Sequence, residues 1–194
     1  MFKKIFVATM LSFIILVATQ ANICGAMIAP YQMYLGGITY GSKIDELKEI
    51  HGEPVAIYNG IEEYGYATCV YGESVLVHYK KVSGQIHGIT VTENNSDWRG
   101  DNNIGVGMYF DEWLKDHAEP ELVKKGDEQT VYLYFHYKSN PVLKETFRDY
   151  GLFIAFNNKS GKITEMRIEG DTDVAPFEEI YEGIISDMLI PIEG

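Results

Sequence analysis

Two cysteines, Cys24 and Cys69, are too few for a disulfide-stapled scaffold, and they leave at most one bridge. Six prolines exclude a low-complexity or polyproline chain. Basic residues are scarce, 16 against 28 acidic ones for a formal charge of −12, so a nucleic-acid partner held by phosphate neutralisation is excluded. Catalytic signatures are missing as well: the chain contains no H-E-x-x-H, G-x-S-x-G, G-x-G-x-x-G or P-loop. His51-Gly52-Glu53 and His117-Ala118-Glu119 have the H-x-E spacing of zinc deaminases, but the P-C-x-x-C ligand pair that chemistry needs is absent. Asp97, Asp101, Asn102 and Asn103 lack calcium-loop spacing, and Arg99-Gly100-Asp101 is a tripeptide match of the kind chance supplies. The expectation is a chain that is not an enzyme and needs no metal or cofactor.

Long hydrophobic runs are confined to the N-terminus. Lys3 and Lys4 precede an apolar stretch over residues 5–17, and Ala18-Thr19-Gln20-Ala21 supplies small residues at its end, the pattern of a secretory signal peptide over residues 1–21. Gln20 and Asn22 interrupt the run short of the about 20 apolar residues a membrane span needs, which favours cleavage over a retained anchor. The expected location is secreted or periplasmic, without stable membrane insertion after cleavage. Losing Lys3 and Lys4 takes the charge from −12 to −14. Cleavage after Ala21 leaves Cys24 and Cys69 able to pair, whereas cleavage after Ala26 leaves Cys69 alone, a small buried thiol in a strand-like run.

What the chain does have is an internal match. Residues 38–54 lie over 104–120 at an offset of 66, with seven of seventeen positions identical. Each segment carries helix punctuation: Ser42 and Asp45 make a capping-box-like pair, Asp45, Glu46, Asp111 and Glu112 crowd the positive end of the dipole, and Pro54 and Pro120 forbid continuation. After each segment the period switches to two. Strand-like runs over 55–58, 64–71, 74–81 and 86–92 are followed in the second half by 131–137, 151–157 and 163–169, with residues 138–149 read as an inserted loop. These patterns predict an α+β fold of two tandem helix-plus-antiparallel-sheet repeats sharing one sheet, with both helices on one face. The first repeat spans 36–93, a polar linker 94–103, the second repeat 104–170. Phe177, Ile180, Tyr181, Ile184, Ile185, Met188 and Leu189 predict an extra C-terminal helix over 173–190.

Alternation along the strands predicts two faces. Val131, Leu133 and Phe135 with Leu152, Ile154, Phe156, Met166 and Ile168 form an apolar set that takes the helices. The opposite face then carries Tyr66, Tyr132, Tyr134, His136 and Arg167, a tyrosine- and arginine-rich surface of the kind favoured in protein recognition. These five are the candidate binding residues. A structural or assembly role in the envelope is the alternative reading, and a hydrolytic site assembled from distant residues such as His78 and His136 ranks below it.

Gly37-Ile38-Thr39-Tyr40-Gly41, followed by Ser42 through Leu47 and then Gly52-Glu53-Pro54, resembles the helix-plus-antiparallel-sheet unit of the beta-lactamase inhibitory protein and SmpA/OmlA (BamE-like) superfamily. The resemblance covers residues 36–170. It implies an exported, non-enzymatic binding domain whose partner is a protein in the cell envelope or outside the cell.

Overall fold

A computed structural model describes residues 28–60, 65–117 and 119–170. The expected signal peptide, Cys24 and the expected C-terminal helix lie outside the described residues. Among the described residues eight strands form one antiparallel sheet: β1 (Ala56–Asn59), β2 (Tyr66–Tyr71), β3 (Val75–Lys80), β4 (Ile86–Val91), β5 (Leu122–Lys125), β6 (Gln129–Asn140), β7 (Glu145–Asn157) and β8 (Ile163–Gly170). Their order is β1-β2-β3-β4-β8-β7-β6-β5. β4 pairs with β8 at the centre, from Gly88 opposite Glu169 to Val91 opposite Met166.

This overturns the expected pair of helix-plus-sheet repeats. The ladder runs unbroken across all eight strands, and α-helix among the described residues is limited to α1 (Ile44–His51) and the five-residue α2 (Phe110–Leu114). The protein is organised around one sheet rather than around two helix-bearing units. The 94–103 stretch is anchored at its middle: Trp98 is buried, stacked on His51 with ring centroids 4.2 Å apart, and Gly36 N–H donates to the Arg99 carbonyl. Residues 138–149, expected as a loop, mostly continue the β6–β7 ladder, with Lys138 opposite Phe147 and Asn140 opposite Glu145.

The helix starts are pinned to the hairpins that precede β4 and β8. Gly41 N–H donates to Ile86 and Ile44 N–H to Gly84; Gly107 N–H donates to Ile163 and Phe110 N–H to Gly161. α1 is capped one residue later than its sequence suggests, with Glu46 Oε2 accepting from Lys43 N–H at 3.1 Å, while Ser42 Oγ accepts from Thr39 N–H. That carboxylate satisfies one of the amides left without a partner in the first turn.

Both short helices press on one face of the sheet. Leu47 of α1 and Phe110 and Trp113 of α2 are buried with Cys69, Val77, Ile89, Leu152, Ile154, Met166 and Ile168. Phe110 stacks on Phe156 at 4.7 Å and meets Tyr132 edge-on. In front of α1, Gly36 sits at φ +61°, and a Cβ there would come 2.9 Å from His51 Nε2 and 3.0 Å from the Trp98 ring. Gly36→Ala is therefore expected to cost at least about 2 kcal/mol, left-handed strain and a clash acting together. Urea denaturation checks this.

Candidate functional site

Cross-strand partners share a face, so register decides which side chains meet. Tyr132 lies opposite Ile154 and Tyr134 opposite Leu152, which in turn lies opposite Ile168. Both tyrosines therefore belong to the helix-covered face, the reverse of the expected assignment, and Val131, Leu133 and Phe135 occupy the other face. Tyr134 is 1% exposed, its hydroxyl accepts from Trp113 Nε1 at 3.3 Å, and burial pushes its phenol up to about 12. It is a core residue. Tyr132 is half-buried against Phe110 and Phe156.

The face expected to be an open binding surface is largely buried as well. Thr68 and Thr90 are 2% and 1% exposed. His78, also buried, bonds through Nδ1 to Thr68 Oγ1 at 2.8 Å. Arg167 lies there between Thr90 and Phe153, its guanidinium over the Phe153 ring and its Nε within 3.7 Å of Glu165 and Glu169. His78 and His136 stand on β3 and β6, four positions apart in the sheet and so roughly 19 Å from each other. The two imidazoles do not share a site.

Tyr66 and His136, the remaining candidates, border a cleft at one end of the sheet, where β2, β3 and β4 face the base of the β6–β7 hairpin. The cavity has a volume of about 300 Å³ and is lined by Tyr40, Lys80, His87, Lys138, Asp149 and Tyr150, with Gly41, Gln85 and Ile86. Irregular pairing between His78 and Tyr79 leaves His87 outside the β3–β4 register, and a similar shift follows His136. Bulges of this kind re-aim side chains at the ends of sheets.

The rings interlock. Tyr40 stacks on Tyr150 at 5.1 Å and meets His87 edge-on, Tyr66 meets His87 edge-on from the other side, and His136 tilts over Tyr150 at 4.8 Å. Asp149 Oδ2 lies 3.5 Å from His136 Nδ1 and 3.4 Å from Lys138 Nζ. Lys80 Nζ sits 5.9 Å from the Tyr66 ring centre. Burial, with the neighbouring Lys80 charge, pushes His87 down to about 4, so its imidazole is neutral near pH 7 and lies within 3.4 Å of the Tyr40 hydroxyl. Burial and the nearby Asp149 charge raise the Tyr40 phenol. The cleft thus offers neutral hydrogen-bonding groups, aromatic surface, the Lys80 cation and the Lys138–Asp149 ion pair. Tyr40, His87, Asp149 and Tyr150 were not singled out from sequence. Among the described residues no group of three or more His, Cys, Asp or Glu is placed to hold a metal, and no helix is long and apolar enough to cross a membrane.

No family model and no curated protein matches this chain. Two solved structures are similar in part. A cysteine-rich secretory protein from Staphylococcus aureus subsp. aureus Mu50 shares 18% identity at a TM-score of 0.46, over 73% of this chain and 48% of its own. An extracellular protein containing an SCP domain from Bacillus anthracis str. Ames shares 17% identity at a TM-score of 0.43, over 69% of this chain and 44% of its own. The chain spans about half the length of these proteins or less.

Proposed function

We propose that the protein is an exported, non-enzymatic protein-binding module acting in the cell envelope or outside the cell, and that the cleft between Tyr66 and His136 receives a side chain of the partner. The observation that carries this reading is a cavity of about 300 Å³ lined by the rings of Tyr40, His87 and Tyr150, with Tyr66 packed on His87 and His136 on Tyr150 beside it. That volume is at the small end for ligand sites and suits one or two inserted side chains. Tyrosine supplies contact area at low entropy cost, and desolvated aromatic anchors dominate protein interfaces. Export rests on the leader-like residues 1–21.

Tyr66 and Lys80 stand at the rim, so their removal tests binding without opening the core. Tyr66→Ala with Lys80→Ala is expected to weaken a partner captured from the native envelope or extracellular fraction by about thirtyfold, the effect of losing one interface anchor. The unfolding temperature should not change. Undiminished affinity in the double variant would overturn the assignment of the cleft.

A further inference from the structure

Beyond the cleft, β6 and β7 continue into a hairpin whose turn, residues 140–144, is fixed by Asn140 Oδ1 accepting from the N–H groups of Val142 and Leu143 at 3.0 and 3.1 Å. Lys144 takes φ +55° to close it. The apex is apolar and unusually bare: Val142 is 86% exposed, Leu143 64%, and Phe147 and Tyr137 follow at 47% and 37%. Lys138, Lys144 and Arg148 flank it against two acids, Glu145 and Asp149, the second 3.4 Å from Lys138 Nζ, so residues 138–149 carry a formal charge of +1 on a chain of net charge −12.

We infer that this tip docks the protein on an anionic lipid surface, with Val142 and Leu143 entering the boundary between headgroups and acyl chains. A hairpin end is two strands wide, about 5 Å between strand axes, which is too narrow to supply by itself the roughly 800 Å² per partner of a standard protein interface. Insertion of a few apolar side chains into a bilayer interface needs no such area. Aromatic residues behind the apex, Tyr137 and Phe147, stand where such rings settle at membrane interfaces, and Lys144 and Arg148 stand where headgroup charge attracts them. Body charge selects the orientation: an anionic surface repels the acidic bulk of the molecule and admits the tip. This contact is peripheral, and it would hold the cleft at the hairpin's base a fixed distance from the surface.

Sedimentation of the mature chain, beginning at Asn22, with phosphatidylcholine vesicles containing about 30% phosphatidylglycerol, against phosphatidylcholine alone, tests the inference. Binding is expected to the anionic vesicles only and to fall steeply with added salt. Val142→Asp with Leu143→Asp, and separately Lys144→Glu with Arg148→Glu, should each lower it at least about tenfold. All four positions are exposed, but the Arg148 guanidinium lies 4.1 Å over the buried Phe135 ring, so the aspartate pair should unfold at the parent's temperature and the charge-reversal pair slightly below it. Equal binding to neutral vesicles, or binding unchanged in either variant, overturns the inference. Tip variants that lose a protein partner while the parent ignores vesicles would also overturn it, in favour of a protein contact. The cleft variant at Tyr66 and Lys80 should still bind vesicles through the tip, so failure here and failure of the cleft assignment are separable.

Discussion

Trp113→Ala should remove about 3–5 kcal/mol of stability, the cost of truncating a large aromatic in a packed core. Trp113 is 2% exposed, its ring lies 3.4 Å from and nearly parallel to that of His117, and it meets Tyr134 edge-on at 6.3 Å. Its Nε1–H donates to the Tyr134 hydroxyl, so the truncation opens a cavity and also strips a buried phenol of a hydrogen-bond donor. A domain of this size is stable by roughly 5–15 kcal/mol, so the loss is a large share of the total. Because α2 has five residues and cannot hold its shape by backbone bonds alone, its place on the sheet depends on Phe110 and Trp113. The urea midpoint should fall sharply at constant slope. Trp113→Phe, which keeps a ring but not the donor, should cost about 1–2 kcal/mol. A loss under about 1 kcal/mol in the alanine variant would contradict the packing described.

The sequence match between residues 38–54 and 104–120 located real features: both segments lead into a helix and both hydrogen-bond to the hairpin ahead of a later strand. Extending that match to two helix-bearing units failed because the helical part is so small and the sheet so continuous. α2 ends at Leu114, well before the His117 and Pro120 that seemed to mark its exit. His117 instead bonds through Nδ1 to the Trp113 carbonyl and through Nε2 to Asp101. Punctuation residues were present without the helix they normally punctuate. β5 was overlooked because Leu122-Val123-Lys124-Lys125 is short and charged, as outer strands of a sheet often are. The hairpin beyond β6 looked like a loop because Ser139, Asn140 and Lys138 give neither face an apolar rhythm, yet ladder bonds need no such rhythm to form.

The binding face was misread at one point of phase. From Val131 to Phe135, β6 alternates aliphatic or phenyl side chains with tyrosines, and either set can be buried. Hydrophobicity prefers Val, Leu and Phe inside; the register with Leu152 and Ile154 places the tyrosines there, and the Trp113 donor makes burial of Tyr134 acceptable. Shifting a strand by one residue exchanges its two faces, so one wrong choice removed two of five candidate residues from the surface. The cleft was legible only in its ends, Tyr66 and His136. Its other rings come from positions 40, 87 and 150, brought together by the helix-start turn, a register irregularity and the β7–β8 pairing, none of which leaves a local pattern.

Acid should destabilise the protein earlier than carboxylate protonation would, because two histidines are folded in the neutral state. Burial lowers His78 to about 4, and burial with the Lys80 charge lowers His87 to about 4, against 6.5 for the free side chain. Between those values the unfolded chain binds protons that the folded chain excludes, so stability falls as pH falls; above about 6.5 the contribution is complete, and below about 4 these groups add no further loss. A fall from 6.5 to about 4 is worth roughly 3 kcal/mol for His78, which is buried on the sheet with its Nδ1 bonded to Thr68. His87 faces the cleft and solvent, so screening cuts its share to roughly half of that. The two together predict a loss of about 4 kcal/mol between pH 7 and pH 4, read as a falling denaturation midpoint. Replacing His87 with Gln should flatten the profile by about 1.5 kcal/mol and leave the steeper part intact. A parent whose stability is level from pH 7 to pH 4.5 would show that neither imidazole is held neutral. A variant with the parent's slope would show that the cleft holds His87 in no particular charge state, and with it would go the neutral hydrogen-bonding group that the Tyr40–Tyr66 rim offers a partner.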